Sequence, residues 1–389
     1  MGQLKRNLKM GMIGGGPGAF IGEVHRKAAR MDGGIDLVAG CFDINPRKSK
    51  QMGREQNLDP KRVYSTYTDM LEKESKLPLD ERVDFVSVTT PNNWHFPIAR
   101  GFLQAGFHVI CEKPMTFDVK EARQLKKIVQ KTRKVFALMH IYTGYPMVKL
   151  ARDIVNQGGL GTIRKIIVQY PQGWLSTDLR NQQAAWRVDP KQSGAGGCIG
   201  DIGTHAANLA EYVTGLRITQ LWADLSTFVK GRKLDDDANV LLHFQKGAKG
   251  ILHASQISVG EENNLAIWVY GEQGGLEWRQ EHPNYLHVKS PDGPEQVWKR
   301  GNDYVEARSP AAGRATRIPS GHPEAFLEAF ANVYANATDT IRARILRQRP
   351  DPLALDFPTV DDGLRGMLFI ETVVKSSKSK QKWTKMPKV

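Results

Sequence analysis

Two places in the sequence gather residues suited to moving a proton while a hydride moves. The first is Val109-Ile110-Cys111-Glu112-Lys113-Pro114, an apolar run ending on a lysine that a proline holds in place. An ammonium at the mouth of a sheet would stabilise the charge that builds on oxygen as an alcohol is oxidised. Taken alone, Lys113 is a surface lysine, and the bond to Pro114 is a candidate for the cis form. The second place is the stretch from Ser193 to His205, SGAGGCIGDIGTH. Asp201 and His205 are four apart, so a helix beginning there puts both on one face. A histidine in a first helical turn meets the positive end of the dipole, which favours a neutral imidazole able to accept a proton. Asp201 pulls the other way and can orient the ring or a substrate. Five glycines within ten residues are costly unless something must approach the backbone closely. The same pattern also reads as a helix cap beside a buried histidine.

Hydride chemistry needs a carrier, and the front of the chain offers a place for one. Gly14-Gly15-Gly16-Pro17-Gly18-Ala19-Phe20-Ile21-Gly22 lies between an apolar run and a helical pattern, and contains G-x-G-x-x-A. Small residues there let the backbone turn tightly against a pyrophosphate, whose charge meets the helix N-terminus. Asp43, at the end of the second apolar run, can accept hydrogen bonds from ribose hydroxyls and would repel a 2′-phosphate. NAD is therefore favoured over NADP, although Arg47 and Lys48 keep NADP open. Ligands of open α/β sheets lie outside the carboxyl ends of the strands, which puts Thr90 and Asn92 beside the nicotinamide half. His95 reads equally as a helix-start residue or as a cofactor contact.

These groups need a scaffold, and periodicity supplies one. Compact apolar runs at 8–13, 37–42, 85–88, 109–111 and 135–139 predict buried parallel strands. Amphipathic segments at 21–30, 45–56, 68–75, 95–105 and 119–131 predict the helices between them. The alternation predicts a doubly wound α/β domain of the Rossmann kind over 1–141. After that the pattern changes. A helix at 147–156, a strand at 164–170, an irregular stretch to 197 and a helix at 202–213 precede longer alternating segments between 218 and 288. Glycines separate those segments, as in antiparallel hairpins, and two helices at 323–337 and 360–376 follow. The reading for 142–389 is an α+β domain on an open, mostly antiparallel sheet, serving substrate binding and oligomerisation.

Composition narrows the class. The chain has 389 residues, 40% hydrophobic and 25% charged, which suits a globular protein of about two or three domains. No apolar run approaches the roughly 20 residues a membrane helix needs, and the first residues lack a secretory pattern. The expectation is a cytoplasmic protein with no membrane partner. Cys41, Cys111 and Cys198 show no metal spacing and read as reduced thiols, so no metal site is expected. The net charge of +14 could suggest nucleic acid. The excess gathers late in the chain, at Arg342, Arg344, Arg347 and Arg349 and in a lysine-rich tail, without any nucleic-acid motif. It reads as solvated surface, with no nucleic-acid partner.

Taken together and in this order, the residues resemble the Gfo/Idh/MocA oxidoreductases, the glucose–fructose oxidoreductase and inositol dehydrogenase superfamily. The likeness rests on the loop from Gly14 to Gly22, Thr90-Pro91-Asn92-Asn93-Trp94-His95, Glu112-Lys113-Pro114, Gly200-Asp201-Ile202-Gly203-Thr204-His205, and Asp361-Asp362-Gly363-Leu364-Arg365-Gly366. The loop and the stretch from Cys198 to His205 most resemble levoglucosan dehydrogenase-like and glycoside 3-dehydrogenase-like members. The resemblance implies Lys113, Asp201 and His205 as the catalytic set. His205 would accept the proton, Lys113 would lower the hydroxyl pKa, and Asp201 would position groups. It also implies cofactor contacts by Glu112 and Lys113, and Trp186-Arg187 is similar to a pair that meets the nicotinamide region. The glycine loop is longer than the common family form, and the segment from His140 to Tyr145 lacks an arginine common there.

Trp94, Tyr142, Tyr145, Trp174 and Trp186 fall in segments expected to line an interdomain cleft, where aromatic faces suit pyranose rings. Tyr142 joins Lys113, Asp201 and His205 as an expected substrate contact. The expected substrate is a neutral sugar, anhydrosugar or glycoside oxidised at a ring hydroxyl. The alternative is an enzyme that retains NAD and cleaves a glycoside through transient oxidation. The resemblance and the open sheet together imply a homodimer or homotetramer through the C-terminal sheet. Asp43→Ala is expected to weaken NAD binding more than NADP binding; titrations that leave the preference unchanged remove Asp43 from the ribose site.

Overall fold

Strands buried on both faces of a parallel sheet carry continuous apolar runs, and the first five strands do so. The computed structural model describes residues 4–179 and 182–389. Strands β1 (Leu8–Gly14), β2 (Ile35–Cys41), β3 (Phe85–Thr89), β4 (His108–Cys111) and β5 (Phe136–Leu138) pair in parallel, in the order β2-β1-β3-β4-β5. Between them run α1 (Phe20–Arg30), α2 (Pro46–Glu55), α3 (Tyr67–Lys76), α4 (His95–Gln104) and α5 (Val119–Thr132). Asn45, Thr66 and Asp118 cap α2, α3 and α5 by accepting a backbone N–H two or three residues on. Strand order reverses around β1, whose neighbours are β2 and β3. Gly14 is opposite Thr89 in the β1–β3 register, so the glycine loop and Thr90 leave the sheet side by side. That is where an open α/β sheet places its ligand.

The chain forms two compact units. One contains the residues up to Met139 together with Phe330–Gly363; the other contains His140–Ala329 and Leu364–Val389. In the second unit, α6 (Pro146–Asn156) leads to β6 (Ile163–Pro171), and α7 (Gln182–Arg187) and α8 (Pro190–Ser193) occupy part of the stretch expected to be irregular. The signal for α8 is in the sequence: Asp189 accepts the Lys191 N–H and Pro190 opens the turn. Next come α9 (Thr204–Thr214), β7 (Ile218–Ser226), β8 (Asp237–Phe244), β9 (Lys249–Ser255), β10 (Ala266–Gly271), β11 (Gly275–Arg279), β12 (Tyr285–Ser290) and β13 (Gly293–Lys299). Helices α10 (Asp303–Arg308), α11 (Pro310–Arg314), α12 (Phe326–Ile345) and α13 (Val360–Ser377) precede the short strand β14 (Thr384–Lys385). The sheet runs β13-β12-β11-β10-β6-β9-β8-β7-β14, with β6 and β9 parallel and the other pairs antiparallel. No described helix is long and apolar enough to cross a membrane.

The helix carrying His205 starts earlier than the sequence suggests. A π-helical turn, Ile199–Gly203, runs straight into α9, and Cys198 and Gly203 already have helical dihedrals. His205 therefore lies beyond the first turn of a longer helical segment, and the expected dipole effect on a first-turn histidine does not apply. The start of this segment is held from a distance. Buried Asp235 accepts the Gly197 N–H at 2.6 Å, the Ile199 N–H at 2.8 Å and the Cys198 thiol at 3.1 Å. Burial pushes the Asp235 carboxyl up, against the pull of these three donors. Asp235→Ala leaves two buried amides unpaired and is expected to cost about 3 kcal/mol. A urea midpoint equal to that of the unmodified chain would refute this capping role.

Candidate active site

The glycine loop is shaped by what its backbone must approach. A Cβ on Gly16 would stand 2.8 Å from the Phe42 carbonyl oxygen and 3.1 Å from Asp43 Oδ2, so only glycine lets the loop lie against Asp43. Asp43 Oδ1 accepts the Asn45 N–H at 2.8 Å, which turns the carboxylate beside the loop. Under the loop, buried Arg26 donates to the Gly15 carbonyl at 2.7 Å. Helix α1 opens at Ala19 without a side-chain cap from that residue, unlike α2, α3 and α5. At the end of β3, Thr90 Oγ1 and Asn93 Oδ1 are buried with no hydrogen-bond partner. An uncapped helix start, a cradle that a Cβ would fill, an acid beside it and unpartnered polar atoms at the next strand end fit a dinucleotide.

Glu112 and His95 turn inward. Glu112 Oε1 lies 2.8 Å from His25 Nε2, and Oε2 accepts the Lys113 N–H at 3.0 Å. His25 Nδ1 lies 2.6 Å from the Tyr334 hydroxyl, which also meets Ser87 Oγ at 2.9 Å. An ionised carboxylate only accepts, so His25 donates to it from Nε2. Burial alone would push the Glu112 carboxyl up; His25, the Lys113 charge and the Lys113 amide outweigh it and hold the group below the usual range. His95 is fully buried, with Nδ1 2.8 Å from the Pro114 carbonyl and Nε2 2.9 Å from the Thr90 carbonyl. Both side chains therefore tie the turn carrying Lys113, whose bond to Pro114 is cis. Trp94 is 43% exposed at the start of α4.

The second unit gathers its own set. His205 on α9 is enclosed by the Tyr142 ring, edge-on at 4.9 Å, by Tyr170 at 6.4 Å and by His140, whose ring centre lies 5.2 Å away. Tyr145 stacks on Tyr142 at 6.0 Å. The Tyr142 and Tyr170 hydroxyls bond each other, and Tyr170 donates onward to Asn263 Oδ1 at 2.7 Å. Gln172 reaches the same oxygen at 2.8 Å and accepts from Trp174 Nε1 at 3.0 Å. Burial pushes the Tyr142 hydroxyl up to about 12, so the phenol stays neutral near pH 7. Asp201 Oδ2 accepts from Gln256 Nε2 at 2.9 Å and Arg187 Nε at 3.2 Å. The Arg187 guanidinium also lies over the Trp186 ring at 4.3 Å and the Trp174 ring at 5.7 Å.

The structure thus brings Asp201, His205, Tyr142, Trp186 and Arg187 into one unit, and the glycine loop, Asp43, Thr90, Asn92, His95, Glu112 and Lys113 into the other. Sequence reasoning missed His140, Tyr170, Gln256 and Asn263 as partners. Alternation marked Tyr170 as a strand end, but no spacing rule joins it to Asn263. Among the described residues, no group of three His, Cys, Asp or Glu side chains could hold a metal.

A doubly wound nucleotide-binding unit, followed in the chain by a sheet unit with a histidine and an acid on one helical segment, defines a dinucleotide-dependent oxidoreductase. Residues 8–140 match the oxidoreductase family with an NAD-binding Rossmann fold, and residues 148–277 match the GFO/IDH/MocA C-terminal domain. The uncharacterized oxidoreductase YfiI of Bacillus subtilis is 31% identical over 98% of this chain and 97% of its own. Levoglucosan dehydrogenase of Pseudarthrobacter phenanthrenivorans is 26% identical over 73% of this chain and 76% of its own. An inositol dehydrogenase homolog of Azotobacter vinelandii, solved with NAD+, superposes with a TM-score of 0.93 at 34% identity over 98% of each chain. The chain belongs to the Gfo/Idh/MocA family of NAD-binding oxidoreductases.

Proposed function

We propose that this protein moves hydride between NAD and a ring hydroxyl of a neutral sugar, anhydrosugar or glycoside. The observation that carries the reading is the box around His205, where aromatic faces and neutral hydroxyl and amide groups stand beside an imidazole. Such a lining suits C–H faces and hydroxyl edges of a sugar ring. Relatives named for levoglucosan and inositol support the same substrate class.

In this mechanism Lys113 stabilises the developing alkoxide, and His205 accepts the hydroxyl proton at a ring nitrogen. Asp201, with its carboxylate fixed by Arg187 and Gln256, orients the substrate, and Tyr142 packs the base in place. Trp186 fixes Arg187 by stacking on it. Bound NAD supplies the nicotinamide carbon that takes the hydride. Gly14, Gly16, Pro17, Gly18, Ala19, Phe20 and Ile21 hold its pyrophosphate, Asp43 its adenosine ribose, and Thr90 and Asn92 its nicotinamide half. His95 and Glu112 serve that half by fixing the turn of Lys113. Residues 1–141 would be the dinucleotide domain and 142–389 the substrate and oligomerisation domain. A cytoplasmic setting accords with three free, buried cysteines.

The sheet of the second unit supports self-association. Trp222, Leu241, Ile251, Ile167 and Trp268 are consecutive cross-strand partners, forming one apolar row across β7, β8, β9, β6 and β10. Trp222, Leu241 and Ile251 are 43%, 37% and 37% exposed, and polar rows with Gln220, His243 and Lys249, and with Asp224, Asn239 and His253, flank them. A second copy, as dimer or tetramer, would cover this row.

NADH formation across levoglucosan, inositols, glucose and aryl glucosides tests the activity. Oxidation of at least one is expected, and cleavage of a glycoside without net NADH would overturn the dehydrogenase reading. Lys113→Ala is expected to lower kcat by at least about 100-fold with NAD affinity within a few-fold; near-normal turnover would remove it from the catalytic set. Ile251→Lys is expected to shift the light-scattering mass toward the monomer, whereas a monomeric unmodified chain would overturn the sheet interface.

A further inference from the structure

The histidine beside His205 has no part in the mechanism above. We propose that His140 is a positioning residue that sets the tautomer of His205, the inference resting on the reading of His205 as the base. His140 Nδ1 lies 3.3 Å from His205 Nδ1, between rings that are 1% and 7% exposed and nearly perpendicular, at 82°. Two neutral imidazoles can hold such a contact only when one nitrogen carries hydrogen and the other a lone pair. The pair therefore has two states. In the first, His205 donates from Nδ1, and its Nε2 is bare and able to take a proton. In the second, His140 donates, His205 carries its hydrogen on Nε2, and that nitrogen accepts nothing.

The first state is the one in which His205 can act as the base, since only there does Nε2 keep a lone pair. The backbone of His140 is fixed, because its carbonyl accepts from Thr143 Oγ1 at 3.0 Å and from the Thr143 N–H at 3.3 Å. Tyr142 and Tyr170, the titratable rings packed on His205, have hydroxyls pushed up by burial and do not introduce a competing ion. During oxidation the hydroxyl O–H bond breaks and its proton joins His205 Nε2. The resulting cation keeps its Nδ1–H on His140, which stabilises it while His140 remains neutral. No hydrogen is lost or gained by His140 in the step.

The test reads the tautomer directly and does not need a known substrate. In the full chain labelled with 15N-histidine, long-range 1H–15N spectra at about pH 8 identify His205 by the signals lost in His205→Gln. The expected result is hydrogen on Nδ1 and a bare Nε2. His140→Leu should abolish that preference, and His140→Asn, whose amide oxygen can accept from Nδ1, should restore it. On a turned-over sugar, His140→Leu should lower kcat by about 10- to 100-fold with KM within about threefold, and His140→Asn should recover most of the loss. Hydrogen on His205 Nε2 in the unmodified chain, or an unchanged tautomer in His140→Leu, would overturn the proposal. If His140→Leu does not fold, the unmodified spectrum and the asparagine variant decide. Failure of every sugar to reduce NAD would count against the activity reading alone, since the tautomer is read without turnover.

Discussion

A single buried carboxylate begins the helical segment on which the second unit's candidate site depends. Asp235 pairs with the first amides of a segment that then carries Asp201 and His205. The approach is close: a Cβ on Gly197 would stand 2.1 Å from the Asp235 carbonyl oxygen. Part of the glycine density before His205 is thus a packing requirement between the helix start and the strand that follows Asp235. Gly200 is different, because nothing lies within 4 Å of where its Cβ would be. One glycine is demanded by a neighbour, while another keeps the backbone open.

Because the helical segment starts at Cys198, the field of a helix end does not govern His205. Its environment is made instead by aromatic edges and a second imidazole. The first unit works by a different rule. There a buried chain of Tyr334, His25 and Glu112 ends on the backbone amide of Lys113, and His95 bridges the turns at Thr90 and Pro114. Polar groups that cannot reach solvent fix the direction of the turn.

Much of this architecture is legible in the sequence. The five front strands fall within about two residues of their apolar runs, because strands buried on both faces leave continuous patterns. Gly16 and Asp43 could be paired in advance, since the first two strand ends of such a sheet are neighbours. The inward turn of Glu112 was hidden, because its partner His25 is 87 residues away and no local rule joins them. Gln256 meets Asp201 across 55 residues, and Asn263 meets Tyr170 across 93. Those contacts depend on the register of the large sheet, and spacing along the chain does not encode it. Short helices α7 and α8 were lost in a stretch too brief for periodicity to register.

The lysine-rich C-terminus carries a last consequence. Composition reads it as solvated surface, yet Thr384 and Lys385 pair with Leu221 and Gln220, Met386 donates to Thr219, and the Trp383 ring lies 3.8 Å from that of His243. The stretch is a strap that occupies the outer hydrogen-bonding groups of β7 along those residues. At the opposite border, β13 bears Pro294, Glu295 and Lys299, residues that discourage strand addition. Growth of the sheet sideways into a fibre is thereby blocked at one margin and disfavoured at the other.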